Sequence, residues 1–190
     1  MKNLIEKVIK ADRKACSELY NLFNKAMYNT CLRLLGKEED ALDALQETFV
    51  LVFRNIHSLE QPELLPAWIK KICVNTCLKQ IEKKKKLQWS NFDDHTVLIN
   101  LNDEDEIVDE YEYAQKLDAI QWALERLPEK YKIVFSLFAI ENYSHENIAD
   151  KLSIPSATCR SQYMRAKQKI IELIKNSHYA GSIQKISAKA

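Results

Sequence analysis

The chain has 190 residues, 46% of them hydrophobic and 29% charged, enough for one domain or two small ones and too apolar for a disordered tail. Two glycines and four prolines signal few turns, and alternating β-branched runs are nearly absent, so the expected fold class is all-α. The formal net charge of +1 hides a division: residues 1–92 hold 16 Lys and Arg against 11 acids, residues 93–118 one Lys against 10 acids, and residues 119–190 hold 11 basic groups against 6 acids.

The first block reads as helices throughout. Asp12 is placed to cap a helix carrying Leu19, Leu22, Phe23, Ala26 and Met27, and Gly36 is placed to stop it. The next pattern sets Leu42, Leu45, Phe49, Val52, Phe53 and Ile56 on one buried stripe. Pro62 and Pro66 break the chain at 57–66. A further helix follows, with Trp68, Ile69, Ile72, Cys73 and Leu78 inward and a lysine run, Lys83–Lys86, at its end. Residues 87–111 are acidic and lack a helical period, which marks a linker. Its apolar residues, among them Trp89, Phe92 and Leu98, are costly to leave in water and suit docking on a partner.

The second block opens near Glu112, with Leu117, Ile120, Ala123, Leu124 and Leu127 at helical spacing. Pro128 starts another helix. Ser144 is a candidate N-cap for a short helix that ends at Ser153–Ile154, and a long helix runs from Pro155–Ser156 to about Ile174. The boundaries expected are a domain over 1–86, the linker 87–111, a domain over 112–175 and a flexible tail 176–190.

Several patterns bear on chemistry. The segment 144–169 has the layout of a helix-turn-helix: Ala149 permits a close crossing, and Cys159, Tyr163 and Ala166 face inward. Helical spacing then puts Arg160, Ser161, Met164, Arg165 and Gln168 on the opposite side. Arginine there can reach guanine edges or phosphate, and Ser161 and Gln162 can hydrogen-bond either. The plainer reading is an amphipathic helix pair with a solvated face. Lys70, Lys71 and Lys79 lie upstream of the lysine run, which by itself reads as a solvated terminus complementing the helix dipole. Asp40, Asp43 and Glu47 share a face with Gln46 beside them. Glu-x-x-His pairing is absent and the four histidines are scattered, so this face suits another protein better than acid–base chemistry or a metal. The five cysteines include no C-x-x-C pair. Cys73 and Cys77, four apart, are half of a metal site in principle, but read more simply as buried hydrophobes or free thiols. No apolar run is long enough to span a bilayer and no apolar leader opens the chain, so a cytoplasmic location is expected.

Together the motifs resemble one family, the extracytoplasmic-function (ECF) group of bacterial RNA polymerase sigma factors. "DALDALQETFVLVF" at 40–53 is similar to the D-A-x-D-x-x-Q-E-x-F signature of the family's second conserved region. "LPAWIKKICVNTCLKQIEKKKK" is similar to the W-(apolar)-x-x-(apolar)-x-x-N segment that follows it and ends in a basic run. "LERLPEKYKIVFSLFAIENYSHENIADKLSIPSATCRSQYMRAKQKI" is similar to the fourth region, where L-x-x-L-P leads into the helix-turn-helix.

The resemblance implies roles. Asp40, Asp43, Gln46 and Glu47 would dock on the clamp helices of the polymerase core's largest subunit. Lys70, Lys71, Asn75, Lys79 and Lys83 would hold the melted −10 promoter element, with 57–66 as a pocket for a flipped base. Ser156, Thr158, Arg160, Ser161, Gln162 and Arg165 would contact the −35 element. The acidic linker would lie in a basic channel of the enzyme. The partners implied are core RNA polymerase, promoter DNA and an anti-sigma factor able to hold the protein at the inner membrane. No catalytic residue, cofactor, metal or small-molecule substrate is implied. Departures from the pattern are Asn147 beside a displaced Glu146, Ser153 in place of the turn glycine, Gln162 where many members are basic, and Lys79 where acidic or polar residues are common. Two other readings compete: a helix-turn-helix transcriptional regulator acting without core polymerase, and a helical adaptor with no nucleic-acid role.

Overall fold

The computed structural model describes residues 1–85 and 110–179. Their contacts divide the chain into two compact units, Met1–Ser90 and Asn91–Ala190. Among the described residues the regular structure is helical, as the scarcity of glycine and of strand patterning leads one to expect.

The first unit contains α1 (Lys2–Ile9), α2 (Arg13–Leu35), α3 (Glu38–Asn55) and α4 (Leu65–Lys85), with single 3₁₀ turns at Ile56–Ser58 and Pro62–Leu64. Asp12 caps α2: its Oδ1 accepts from the Ala15 N–H at 2.8 Å, a contact that typically contributes about 1 kcal/mol. Gly36 ends α2 in the left-handed region, φ 76°, where its N–H donates to the Leu32 carbonyl. That stop lets α3 fold back on α2 within two residues. Glu38, Glu39 and Asp40 fill the first turn of α3, where carboxylates meet the positive end of the helix dipole.

Helices α2, α3 and α4 pack against one another, and α1 lies on α2. Leu19, Leu34, Val52, Leu65, Ile69 and Val74 are buried at their seams. Each such side chain contributes about 1.5–3 kcal/mol through its burial. Three residues of this unit assigned to apolar stripes are displaced from them: Leu22 is 57% exposed, Leu42 is 43% exposed, and Ala26 is exposed as well. The phase of α3 is set by Ala41, Ala44, Leu45, Thr48, Phe49 and Val52, which turns Leu42 outward.

The α2–α4 seam also holds three cysteines. Cys31 on α2 and Cys73 and Cys77 on α4 are all fully buried, and their sulfur atoms lie within 4.8 Å of one another. Cys31 Sγ and Cys73 Sγ are 3.4 Å apart, and Cys73 Sγ is 3.6 Å from the Met27 carbonyl oxygen. Thiol hydrogen bonds from Cys31 and Cys77 hold Cys73 below the ordinary thiol range despite its burial, with Thr48 and the charge of Arg33 acting the same way. Sharing protons within the cluster pushes Cys31 and Cys77 up, and burial adds to it.

The second unit contains α5 (Glu110–Glu125), α6 (Glu129–Phe135), a π-helical turn at Ser136–Ile140, α7 (His145–Leu152) and α8 (Ser156–Lys175). α8 packs against α5, α6 and α7. Ala119, Ala123, Leu124 and Leu127 meet Ala166, Ile170 and Ile174 in one core, so Leu117 and Ile120, expected on that stripe, lie on its exposed flank instead. The linker expected at 87–111 lies outside the described residues apart from its last two positions, which open α5. Of the expected tail, residues 176–179 are folded: His178 and Tyr179 meet the Trp122 ring edge-on, at centroid distances of 5.9 and 6.0 Å. Residues 180–190 lie outside the described residues.

Candidate functional site

Three surfaces carry the candidate residues. On α3, Asp43, Gln46 and Glu47 are exposed, while Asp40 is partly covered. Asp40 Oδ2 pairs with Lys84 Nζ of α4 at 2.5 Å. Leu42 and Val50, 43% and 63% exposed, stand on the same outer side. Carboxylates with apolar neighbours make a surface for a protein partner, since exposed aliphatic groups gain from burial and fixed charges select orientation. Read from the sequence, the apolar spacing of α3 puts Leu42 in the core and so hides the apolar half of this face. Its signal was the buried Ala41–Ala44–Thr48 spacing, which leaves Leu42 no room inward.

On α4, positions 68, 71, 75, 79 and 83 recur at intervals of three and four and form one strip. Trp68 and Asn75 are half-buried, and Lys71, Lys79 and Lys83 are exposed. Lys70 departs from this strip. It precedes Val74 and Cys77 by one and two turns, on the packed side, and is half-buried there. At the head of the strip a cavity of about 340 Å³ is walled by Ser58, Glu60, Gln61, Leu64, Trp68 and Lys71, a volume at the small end of ligand-pocket sizes. The loop 57–66 and α4 thus form a concave site that combines an indole, amide and carboxylate groups and a cation. An indole face and a nearby cation suit an unstacked base and its phosphate.

On the second unit, α7 and α8 form the helix-turn-helix. Ser144 caps α7, its hydroxyl accepting from the Asn147 N–H at 3.2 Å. The turn is closed by Ser153 in the left-handed region, φ 53°, and by the Ile154 N–H donating to the Ala149 carbonyl at 3.0 Å. A serine there lacks glycine's freedom from the Cβ clash, which is the local cost of the missing turn glycine. The inner corner is aromatic: His145 stacks on Phe138 at 4.1 Å and 9°, and Tyr163 leans on Phe138 at 4.5 Å. His145 Nδ1 also lies 3.5 Å from Cys159 Sγ. Burial, together with the charge of Arg160, lowers the His145 pKa, and burial pushes the Cys159 thiol up to about 11.

Arg160 is exposed and pairs with Glu146 of α7 at 2.7 Å. Ser156, Thr158, Ser161 and Arg165 are half-buried, and the Ser161 hydroxyl donates to the Thr158 carbonyl at 3.0 Å. Gln162 is only 4% exposed. The inward stripe of α8 is Cys159, Gln162, Ala166, Ile170 and Ile174, so Gln162 belongs to the core and not to the outer face. The polarity of Gln162 points outward in the sequence, whereas its spacing of three from Cys159 and four from Ala166 points inward. Ser156, Thr158, Arg160, Ser161 and Arg165 are brought together along the first three turns of α8.

Two family models match the chain in order: sigma-70 region 2 over residues 19–87 and sigma-70 region 4 over residues 117–170. Among curated proteins, the ECF RNA polymerase sigma factor SigW of Bacillus subtilis is 26% identical over 88% of this chain and 93% of its own length. The ECF sigma factor SigE of Mycolicibacterium smegmatis is 28% identical over 80% of this chain and 59% of its own length. The ECF sigma-E factor of Haemophilus influenzae is 26% identical over 88% and 91%. Among solved structures, the sigma factor RpoE of Bartonella quintana, in complex with the anti-sigma factor NepR, aligns over 85% of this chain and 98% of its own, at 21% identity and TM-score 0.47. CnrH, in complex with the cytosolic domain of CnrY, aligns over 92% and 97% at 19% identity and TM-score 0.44. The region 2 match covers α3 and α4, which a regulator built on the helix-turn-helix alone does not need. With sigma-70 region 2 followed by sigma-70 region 4, together more than half of its length, the chain belongs to the sigma-70 family of RNA polymerase sigma factors, and the curated proteins it is similar to are of the ECF group.

Proposed function

We propose that this sigma factor recruits core RNA polymerase through the outer face of α3 and reads promoters with α4 and α8. The observation that carries the reading is the pairing of sigma-70 regions 2 and 4 in one chain, each on its own compact unit. Asp40, Asp43, Gln46 and Glu47 receive the clamp helices of the largest subunit, with Leu42 and Val50 supplying apolar contact. Lys71, Asn75, Lys79 and Lys83 hold the displaced −10 strand, and the cavity beside Trp68 takes an unstacked base. Leaving the stack costs a few kcal/mol, so the cavity must return that by stacking and hydrogen bonding. Ser156, Thr158, Arg160, Ser161 and Arg165 meet the −35 duplex. Lys70 and Gln162 are left out of these sets because of where they sit on their helices.

The protein performs no bond-making chemistry in this reading; catalysis belongs to the core enzyme. The acidic segment 87–111 occupies a basic channel of that enzyme. An anti-sigma factor is a further partner in this reading; the sigma factor RpoE of Bartonella quintana was solved with one. Such a partner would restrain a protein that works in the cytoplasm. Among the described residues no helix is long and apolar enough to cross a membrane.

Run-off transcription tests the proposal. Core polymerase with this protein gives a transcript from promoters selected by sequencing RNA after its overexpression, and neither component gives it alone. A folded preparation that fails to bind core overturns the reading.

A further inference from the structure

The cysteine cluster has no part in promoter reading. Its three sulfur atoms come from two helices and converge within 4.8 Å, all fully buried. Three sulfur ligands around one ion at about 2.3 Å stand about 4 Å apart in a trigonal arrangement. The 3.4 Å between Cys31 and Cys73 and the 4.8 Å limit for the set bracket that spacing. Cys73 and Cys77, four residues apart, present both sulfurs on one side of α4, facing Cys31 of α2.

We propose that Cys31, Cys73 and Cys77 form a closed three-thiolate site for a soft monovalent d¹⁰ ion of the Cu(I) type. Ligand softness favours it, since thiolates select Cu(I), zinc and iron–sulfur clusters over harder ions. Ligand number and burial then decide among those. Structural zinc takes four protein ligands and catalytic zinc keeps a water in the fourth position. Among the described residues no fourth His, Cys, Asp or Glu joins the set, and the sulfurs are sealed from solvent. Cu(I) is satisfied by three sulfurs in a dry core. On binding, each thiol releases its proton to solvent and each sulfur donates an electron pair to the ion, with no change of oxidation state. The three thiolates leave net negative charge on the site, and the cationic Arg33 follows Cys31 by two residues on α2. The ion enters during folding or through local opening of the α2–α4 seam. Once bound it links these two helices.

The test uses the full-length protein, reduced and anaerobic, titrated with Cu(I) against bathocuproine disulfonate, with Zn(II) and Cd(II) as separate arms. One Cu(I) per chain is expected, with ultraviolet sulfur-to-copper charge transfer, a three-sulfur shell by X-ray absorption and a raised thermal midpoint. Cys31→Ser and Cys77→Ser each weaken Cu(I) retention by about 100-fold or more, a loss at least as large as that from removing a hydrogen-bond partner of a metal ligand, while Cys16→Ser and Cys159→Ser bind as the parent does. Full retention by Cys31→Ser, dependence on Cys16 or Cys159, tighter Zn(II) than Cu(I) binding, or a Cys31–Cys73 disulfide in place of a metal overturns the proposal. If a serine variant fails to fold, the parent protein's X-ray absorption spectrum decides: fewer than three sulfur neighbours overturns it.

Discussion

The outer faces of α3 and α8 are both charged, yet they are built differently. On α3 the carboxylates of Asp43 and Glu47 stand among exposed aliphatic side chains, Leu42 and Val50. On α8 the first three turns offer Arg160 and Arg165 among hydroxyls, with the half-buried Met164 beside them, while Cys159, Ala166 and Ile170 face inward. A protein partner rewards apolar burial flanked by oriented charge, whereas a polyanion rewards cations and hydrogen-bond donors. Charge sign alone would have described both faces as polar. In the proposed reading, the exposed Leu42 and Val50 are what set the protein-docking face apart from the DNA-facing one.

The comparison is sharpest if the two units are energetically separate. Ile69→Ala in the first unit and Ile148→Ala in the second both empty fully buried sites and should each cost about 2–5 kcal/mol. Hydrogen exchange should show the loss confined to the unit that carries the change; loss of protection throughout would mean one cooperative body. Next in size is binding. Arg165→Ala should weaken a −35 duplex by about 1–3 kcal/mol if the contact is to a base edge, with little loss on scrambled DNA. Equal loss on both duplexes would assign Arg165 to phosphate. Val50→Asp should weaken core polymerase binding by more than about 1 kcal/mol. Its folding stability should stay within about 0.5 kcal/mol, as expected of an exposed position. Unchanged core affinity by equilibrium titration would remove α3's apolar patch from the docking surface.

Smaller effects probe the second unit. Its stability should depend on pH through His145, whose folded pKa lies below the ordinary 6.5 because burial, then Arg160, disfavour its charged form. The unfolded chain then binds the proton more readily. His145's contribution is therefore full above 6.5 and declines as pH falls from there toward the folded value. Urea titrations across that window should show the decline, and His145→Phe, which keeps a ring against Phe138, should flatten it. Smallest of all, Ser153→Gly should raise stability by about 0.5–1 kcal/mol by relieving the left-handed turn, measured by denaturant midpoint.

Much of this was legible in the residues. Asp12, Gly36 and Ser144 mark helix ends by local chemistry alone, and all three act where their types predict. The helix-turn-helix followed from spacing. What failed was helical phase. Leu42 was counted inward because it is apolar, and Gln162 outward because it is polar, but neighbours three and four residues away decide which way each points. Lys70 was grouped with Lys71 by charge although adjacent helical positions diverge by about 100°. The meeting of Cys31 with Cys73 and Cys77 was beyond reach, because it depends on how α2 is set against α4.

The Asp40–Lys84 pair joins the acidic end of α3 to the basic end of α4. A carboxylate committed to a lysine presents less charge to a clamp helix, and a lysine committed to a carboxylate presents less to a phosphate. In the proposed complex a clamp helix that takes Asp40 would free Lys84, which lies outside the α4 strip, for a nearby phosphate, and a phosphate that takes Lys84 would free Asp40. Thermodynamic reciprocity would make any such help mutual and equal in size. Exposed pairs of this kind contribute at most about 1 kcal/mol, so the coupling is a gentle bias toward the three-body complex and not a lock.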